Sequence, residues 1–190
     1  MAIMKGFTAI KEEQKKGIPT LKLKDGEGAV IRFIQDPSEI ISVYEYTEQI
    51  GGRWVTFTAP EYNEDPMRAM GKKPSFKTYF LVADRSDEDR VKIFKASKTV
   101  GGAITGLLEE YGDLRDRDFK IVRQGEKLKT TYQFFPKDKS KFELSEDVEL
   151  PNLEEMLTPK TREEILAIMN SDYSEANEGG SESKDSDFPF

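Results

Sequence analysis

Short β-rich runs cut by turn signals, with a single helical-period stretch arriving late, constrain this chain more than any other feature. Thr20–Lys24 and Ala29–Ile34 are strand-like and flank the turn 25–28, Asp-Gly-Glu-Gly. Ile40–Ile50 and Arg53–Thr58 are rich in β-branched and aromatic residues, and Gly51-Gly52 between them predicts a hairpin. Phe76–Ala83 and Val91–Lys95 follow as further strands, joined by the charged turn 84–89. The period then changes. Val100, Ile104, Leu107, Leu108 and Tyr111 recur at helical spacing, and Gly112 is a natural stop. Phe119–Arg123 and Leu128–Phe135 make a last hairpin around Gln124-Gly125-Glu126. Pro151 opens one short helix through Leu157, and Thr158 or Pro159 opens another with Ile165, Leu166 and Met169 on its apolar stripe.

That order predicts an all-β-dominated fold. It is a small β-barrel with one inserted helix, short terminal helices and an acidic tail, and the oligonucleotide/oligosaccharide-binding (OB) barrel is the architecture that suits it. The expected divisions are a basic arm over 1–17, a barrel domain over 18–150, a helical segment over 151–170 and a disordered tail over 171–190. The stretch 59–75 carries Pro60, Pro66, Gly71 and Pro74 and is expected to be a long functional or mobile loop.

Elimination narrows the chemistry. The chain has no Cys and no His. That removes disulfides, Cys- or His-based metal sites and every Ser-His or Cys-His nucleophile. Carboxylate-only magnesium sites survive, but the acids are dispersed or lie in the tail. The expectation is a binding protein, not an enzyme, with no cofactor and no metal. No apolar run approaches a membrane span, and the charged opening is unlike a secretory signal. The cytoplasm is the expected location, that of the host cell if the protein is phage-encoded.

The formal charge is −7 over 190 residues. Residues 171–190 hold Asp172, Glu175, Glu178, Glu182, Asp185 and Asp187 against Lys184 alone, so the rest of the chain is nearly neutral. A neutral body can gather its bases on one face. Such a polar tail cannot offset its ordering entropy by burial. It ends in Asp187, Phe188, Pro189 and Phe190. Two aromatic anchors beside Asp185, Asp187 and the terminal carboxylate make a portable ligand for an apolar pocket with a basic rim.

Single-strand binding requires aromatic faces for bases and cations for the backbone. Both interleave here. Tyr44 and Tyr46 lie two apart on one strand face, and Arg53 and Trp54 begin the returning strand. Lys72 and Lys73 follow in the loop, and Lys77 and Tyr79 share a face of the next strand. Lys92, Lys95, Lys98, Arg123 and Lys129 complete the expected single-stranded-DNA contacts. Phe33, Phe80, Phe94, Phe119 and Phe134 are expected in the core.

The tip DSDFPF resembles the C-terminal tip of bacterial single-stranded DNA-binding proteins. The stretch from FKTYFLVADRSDEDRVKIFKASK through GDL, DFKIVRQG and TTYQFFP resembles phage OB-fold proteins of the same activity, as does KGFTAIKEEQKK followed by GEGAVIRFI. The likeness spans roughly 5–140 and the tail. It implies a stoichiometric protein that coats single strands in replication, recombination and repair. It implies that the tail recruits polymerase, helicase, primase or nuclease partners and competes with DNA for the basic groove. The amphipathic arm 1–17 suits contact between neighbouring copies along the strand. Some such proteins hold zinc through Cys and His in a loop between barrel strands, and 59–75 has neither residue. The competing expectation is a phage OB-fold adaptor or inhibitor that binds a host replication protein without coating DNA.

Overall fold

The computed structural model describes residues 18–126, 129–145 and 147–178, of which 171–178 are described by backbone alone. The strands are β1 (Gly28–Phe33), β2 (Ile41–Ile50), β3 (Arg53–Thr58), β4 (Ser75–Asp84), β5 (Arg90–Ser97), β6 (Arg117–Gln124) and β7 (Thr131–Lys139). The helices are α1 (Pro66–Ala69), α2 (Lys98–Tyr111), α3 (Leu153–Met156) and α4 (Arg162–Glu178). Seven strands form an antiparallel sheet in the order β3-β2-β4-β1-β6-β7, with β5 on β4. The chain divides into two compact units. Unit one is Met1–Val43 with Phe76–Met156, and unit two is Tyr44–Ser75 with Leu157–Phe190.

Unit one is built on β1, which pairs with β4 on one side and β6 on the other. Alternation sends Ala29, Ile31 and Phe33 inward, where they join Phe80, Val82, Phe94, Phe119 and Ile121. Phe33 meets Phe80 and Phe119 edge-on at ring distances of 5.7 and 5.6 Å, a preferred aromatic geometry. α2 closes this core with buried Val100 and Ile104. Ser97 caps it by accepting from the Val100 N–H, and Gly112 ends it at φ 79°, a conformation glycine adopts without steric cost.

The expected barrel does not close. β7 pairs with β6 alone, and no ladder joins β5 to β7 among the described residues. Two causes are visible. The free edge of β5 is taken by 19–21: the Leu21 N–H donates to the Ile93 carbonyl at 2.8 Å, and the Ile93 N–H donates to that of Pro19 at 2.9 Å. Side chains span the seam instead of backbone, with Phe94 against Tyr132 and Phe134 at 5.2 and 6.5 Å between ring centres. The strand expected over Thr20–Lys24 reduces to one isolated bridge, Thr20 with Ile93, while Leu21 and Leu23 enter the core.

A buried cation ties the end of unit one to its centre. Arg32 is 1 % exposed. Its Nε donates to Asp118 Oδ1 at 2.6 Å, Nη1 to the carbonyls of Arg115 and Ser140 at 2.9 and 3.0 Å, and Nη2 to Ser140 Oγ at 2.6 Å. Phe142 stacks beneath the guanidinium groups of Arg32 and Arg85 at 5.5 and 4.7 Å.

Unit two contains the β2–β3 hairpin. It turns at Gly51 and Gly52, both at positive φ (56° and 75°), as a two-residue hairpin loop requires. Tyr46 and Phe57 face each other across it and pack on Met67 and Ile165. The expected loop 59–75 is thus partly structured. Asp65 caps α1 by accepting from the Met67 and Arg68 N–H groups, and Pro66 occupies the first turn. α4 runs past Asn170 to Glu178, where a disordered tail was expected. Among the described residues no helix is long and apolar enough to cross a membrane.

Candidate nucleic-acid interface

The hairpin of unit two sorts the expected stacking residues by face. Tyr46 pairs with Phe57, so Tyr44, Tyr46 and Arg53 share one side and Trp54 takes the other. The Tyr46 side is covered by Met67 and Ile165. Tyr46 is 2 % exposed and donates its hydroxyl hydrogen to Asp65 Oδ2 at 2.7 Å. It cannot present its ring to a base, which corrects the pairing of Tyr44 with Tyr46 as a stacking platform. Burial, followed by the accepting Asp65 carboxylate, pushes its phenol well above the usual range. Tyr44, by contrast, is 54 % exposed.

Trp54 is 70 % exposed on the opposite side. It faces Gln49 across the strands, and the neighbouring cross-strand pair is Thr47 with Thr56, hydroxyl to hydroxyl at 3.1 Å. All four are exposed. This is a bare, uncharged stretch of sheet that presents one large ring among amides and hydroxyls. Arg53 and Lys73 are exposed with no ion pair among the described residues. Lys72 is bound to Glu48 at 2.7 Å. Exposed pairs of that kind are weak and screened by salt, so a phosphate could compete for it.

Unit one sorts its cations by partner. Lys92 lies between Asp84 and Asp87 at 2.8 and 2.7 Å. Burial opposes its charge, but the two carboxylates outweigh that cost and raise its pKa. Arg123 donates to the Leu23 carbonyl and, at 3.2 Å, to Thr130 Oγ1. These two expected contacts are therefore committed within the fold. Tyr79 is buried in β4, with Lys95 over its ring at 5.6 Å, because β4 is covered on both sides. Lys77 is half-buried, while Lys98 and Lys129 are exposed. Lys98 helps line a cleft of about 520 Å³ with Phe33, Phe80, Ile104 and Leu108. Among the described residues no cluster of three potential metal ligands forms.

One exposed pair escaped the sequence reading. Phe135 is 48 % exposed and lies directly across from Lys120. The double phenylalanine at 134–135 signals one ring in and one ring out of a strand, and that alternation was the available clue. The tail residues Asp185, Asp187, Phe188, Pro189 and Phe190 and the arm 1–17 lie outside the described residues.

No protein-family model matches the chain, and no curated protein matches it in sequence.

Proposed function

We propose that this chain is a non-catalytic, sequence-independent single-stranded-DNA-binding protein of phage DNA replication, recombination and repair. The observation that carries the reading is Trp54: the chain's one tryptophan is 70 % exposed on a bare sheet face with no charged neighbour in its cross-strand rows. A buried indole would have been ordinary core. An exposed one on a rigid hairpin is a stacking platform whose ordering cost folding has already met.

The strand order supports it. Unit one runs β5-β4-β1-β6-β7 with α2 between β5 and β6. We read this as an OB fold opened at one seam, with unit two's hairpin inserted between its first two strands. In this reading Trp54 stacks on a base, and the exposed Tyr44 and Arg53 of the hairpin's other side, Lys72 and Lys73 of the same unit, and Lys98 and Lys129 of unit one are separate candidate contacts. The acidic tip, with Phe188 and Phe190 as anchors, recruits replication and repair proteins and competes with DNA for cations.

The test is titration of the full chain with single-stranded and duplex oligonucleotides across a salt series. Single strands should bind far more tightly. With about four to six phosphates neutralised, log affinity should fall against log salt with a slope of about −3 to −4. Equal affinity for duplex, or a flat salt response, overturns the reading.

A further inference from the structure

Unit one has an aromatic and basic sheet face of its own. The ladders align two rows across three strands. One is Val30–Lys120–Phe135, and the next is Gly28–Val122–Gln133. Directly opposite residues on one sheet face stand about 5 Å apart, so each row is a contiguous strip. The inward positions of the same strands, Phe119, Ile121 and Phe134, face the core. Outward, Lys120, Gln133 and Phe135 are exposed, and Val30 and Val122 are half-buried.

The face has a definite boundary. Two residues along β1 from Val30, Arg32 is capped by Ser140 and underlain by Phe142. Ser140 and Phe142 therefore cover one end of the outer surface, and these rows stay uncovered among the described residues. Neither row contains an acid. Asp118, the carboxylate two residues before Lys120, is held by Arg32 at 2.6 Å and Arg85 at 3.6 Å. Lys120 has no ion pair among the described residues, and Lys129 is exposed in the connection between β6 and β7.

We propose that this outer face of β1, β6 and β7 is a second single-strand contact, in which Phe135 stacks on a base, Gln133 meets base edges and Lys120 neutralises a phosphate. It rests on the single-strand-binding reading above and extends it to residues that reading does not use. The chemistry selects a polyanion with planar groups over a protein. A protein partner needs a desolvated apolar centre. Here the apolar floor is two half-buried valines and a glycine, around one ring and one unpaired cation. Gly28 has no side chain to obstruct its row, and a Cβ there would come within 2.9 Å of the Ile121 carbonyl oxygen.

The test compares full-length wild type, Phe135→Ser and Lys120→Gln, with oligodeoxythymidylate as the probe. Phe135→Ser should bind about 5- to 150-fold more weakly, the loss of one stacked base. Lys120→Gln should make the slope of log affinity against log salt shallower by about 0.7. Ultraviolet cross-linking of the wild type to the same probe should place an adduct in residues 131–139, a readout that does not depend on the variants folding. Wild-type binding with unchanged variants and no adduct in that segment overturns this proposal and leaves the broader reading intact. Wild type that fails to bind overturns both. If Phe135→Ser loses a protein partner and keeps its DNA affinity, the face is a protein-docking surface and the proposal is wrong.

Discussion

Tyr46 donates its hydroxyl hydrogen to Asp65 Oδ2 at 2.7 Å, and both residues are buried. The other oxygen of the same carboxylate accepts from the Met67 N–H at 3.0 Å. One aspartate thus holds the middle of β2 and the start of α1. A tyrosine whose spacing suggested DNA stacking instead fastens the connection 59–75 to the hairpin.

Tyr46→Phe should destabilise the protein by about 1–3 kcal/mol, the worth of a hydrogen bond to a charged group, since Asp65 Oδ2 then keeps Arg68 Nε at 3.2 Å but loses the shorter bond. Asp65→Ala should cost more, since the helix cap, worth about 1 kcal/mol, goes too. Urea unfolding of the full chain measures both. A Tyr46→Phe protein as stable as wild type would show that the bond contributes nothing net. Single-strand affinity of either folded variant should stay at the wild-type level.

The same bond gives a signature in alkali. Burial first, then the accepting carboxylate, raises the Tyr46 phenol above its ordinary 10.0. Tyr132 is raised too, by burial. A group whose pKa is higher folded than unfolded stabilises the fold fully below its unfolded value. That contribution is lost as pH rises beyond 10.0 toward the folded value. Ultraviolet titration should therefore show a late-ionising component from Tyr46 and Tyr132. Stability should fall above that pH more steeply in wild type than in Tyr46→Phe. A titration with no late component would contradict the buried placement of Tyr46 and Tyr132.

Trp54→Ala should keep the fold, since the ring lies outside the core of its unit. It should weaken single-strand binding by about 1–3 kcal/mol. In the wild type, oligonucleotide should quench the sole indole's fluorescence. An unquenched indole, together with unchanged affinity in the variant, would place the DNA elsewhere.

Arg32→Leu should be severe. It leaves Asp118 the longer 3.6 Å contact with Arg85 and takes the Arg32 donor from the Arg115 and Ser140 carbonyls, and breaking a buried pair costs about 3–5 kcal/mol. Because the side chain's Nε, Nη1 and Nη2 are all engaged within the fold, the arginine is structural. Any folded fraction should bind single strands as wild type does. A stable variant with weakened binding would reverse that assignment.

By itself the sequence determined what depends on neighbours along the chain. The period-two runs made strands, the period near 3.6 over 98–111 made α2, and Gly51-Gly52 made a hairpin, because side-chain alternation and φ preference act within a few residues. The inward phenylalanines of β1, β4, β5 and β6 followed from the same alternation. The tertiary structure decided the rest, since it turns on residues far apart in sequence. Tyr44 and Tyr46 share a strand face, yet Tyr46 is buried beneath Met67 and Ile165 of α4 while Tyr44 is 54 % exposed. Lys92 and Arg123 read as free cations until folding brought Asp84, Asp87 and the Leu23 carbonyl to them. The sheet does not close into the expected barrel, and residues 19–21 hold the edge of β5, a long-range backbone pairing that no local pattern records.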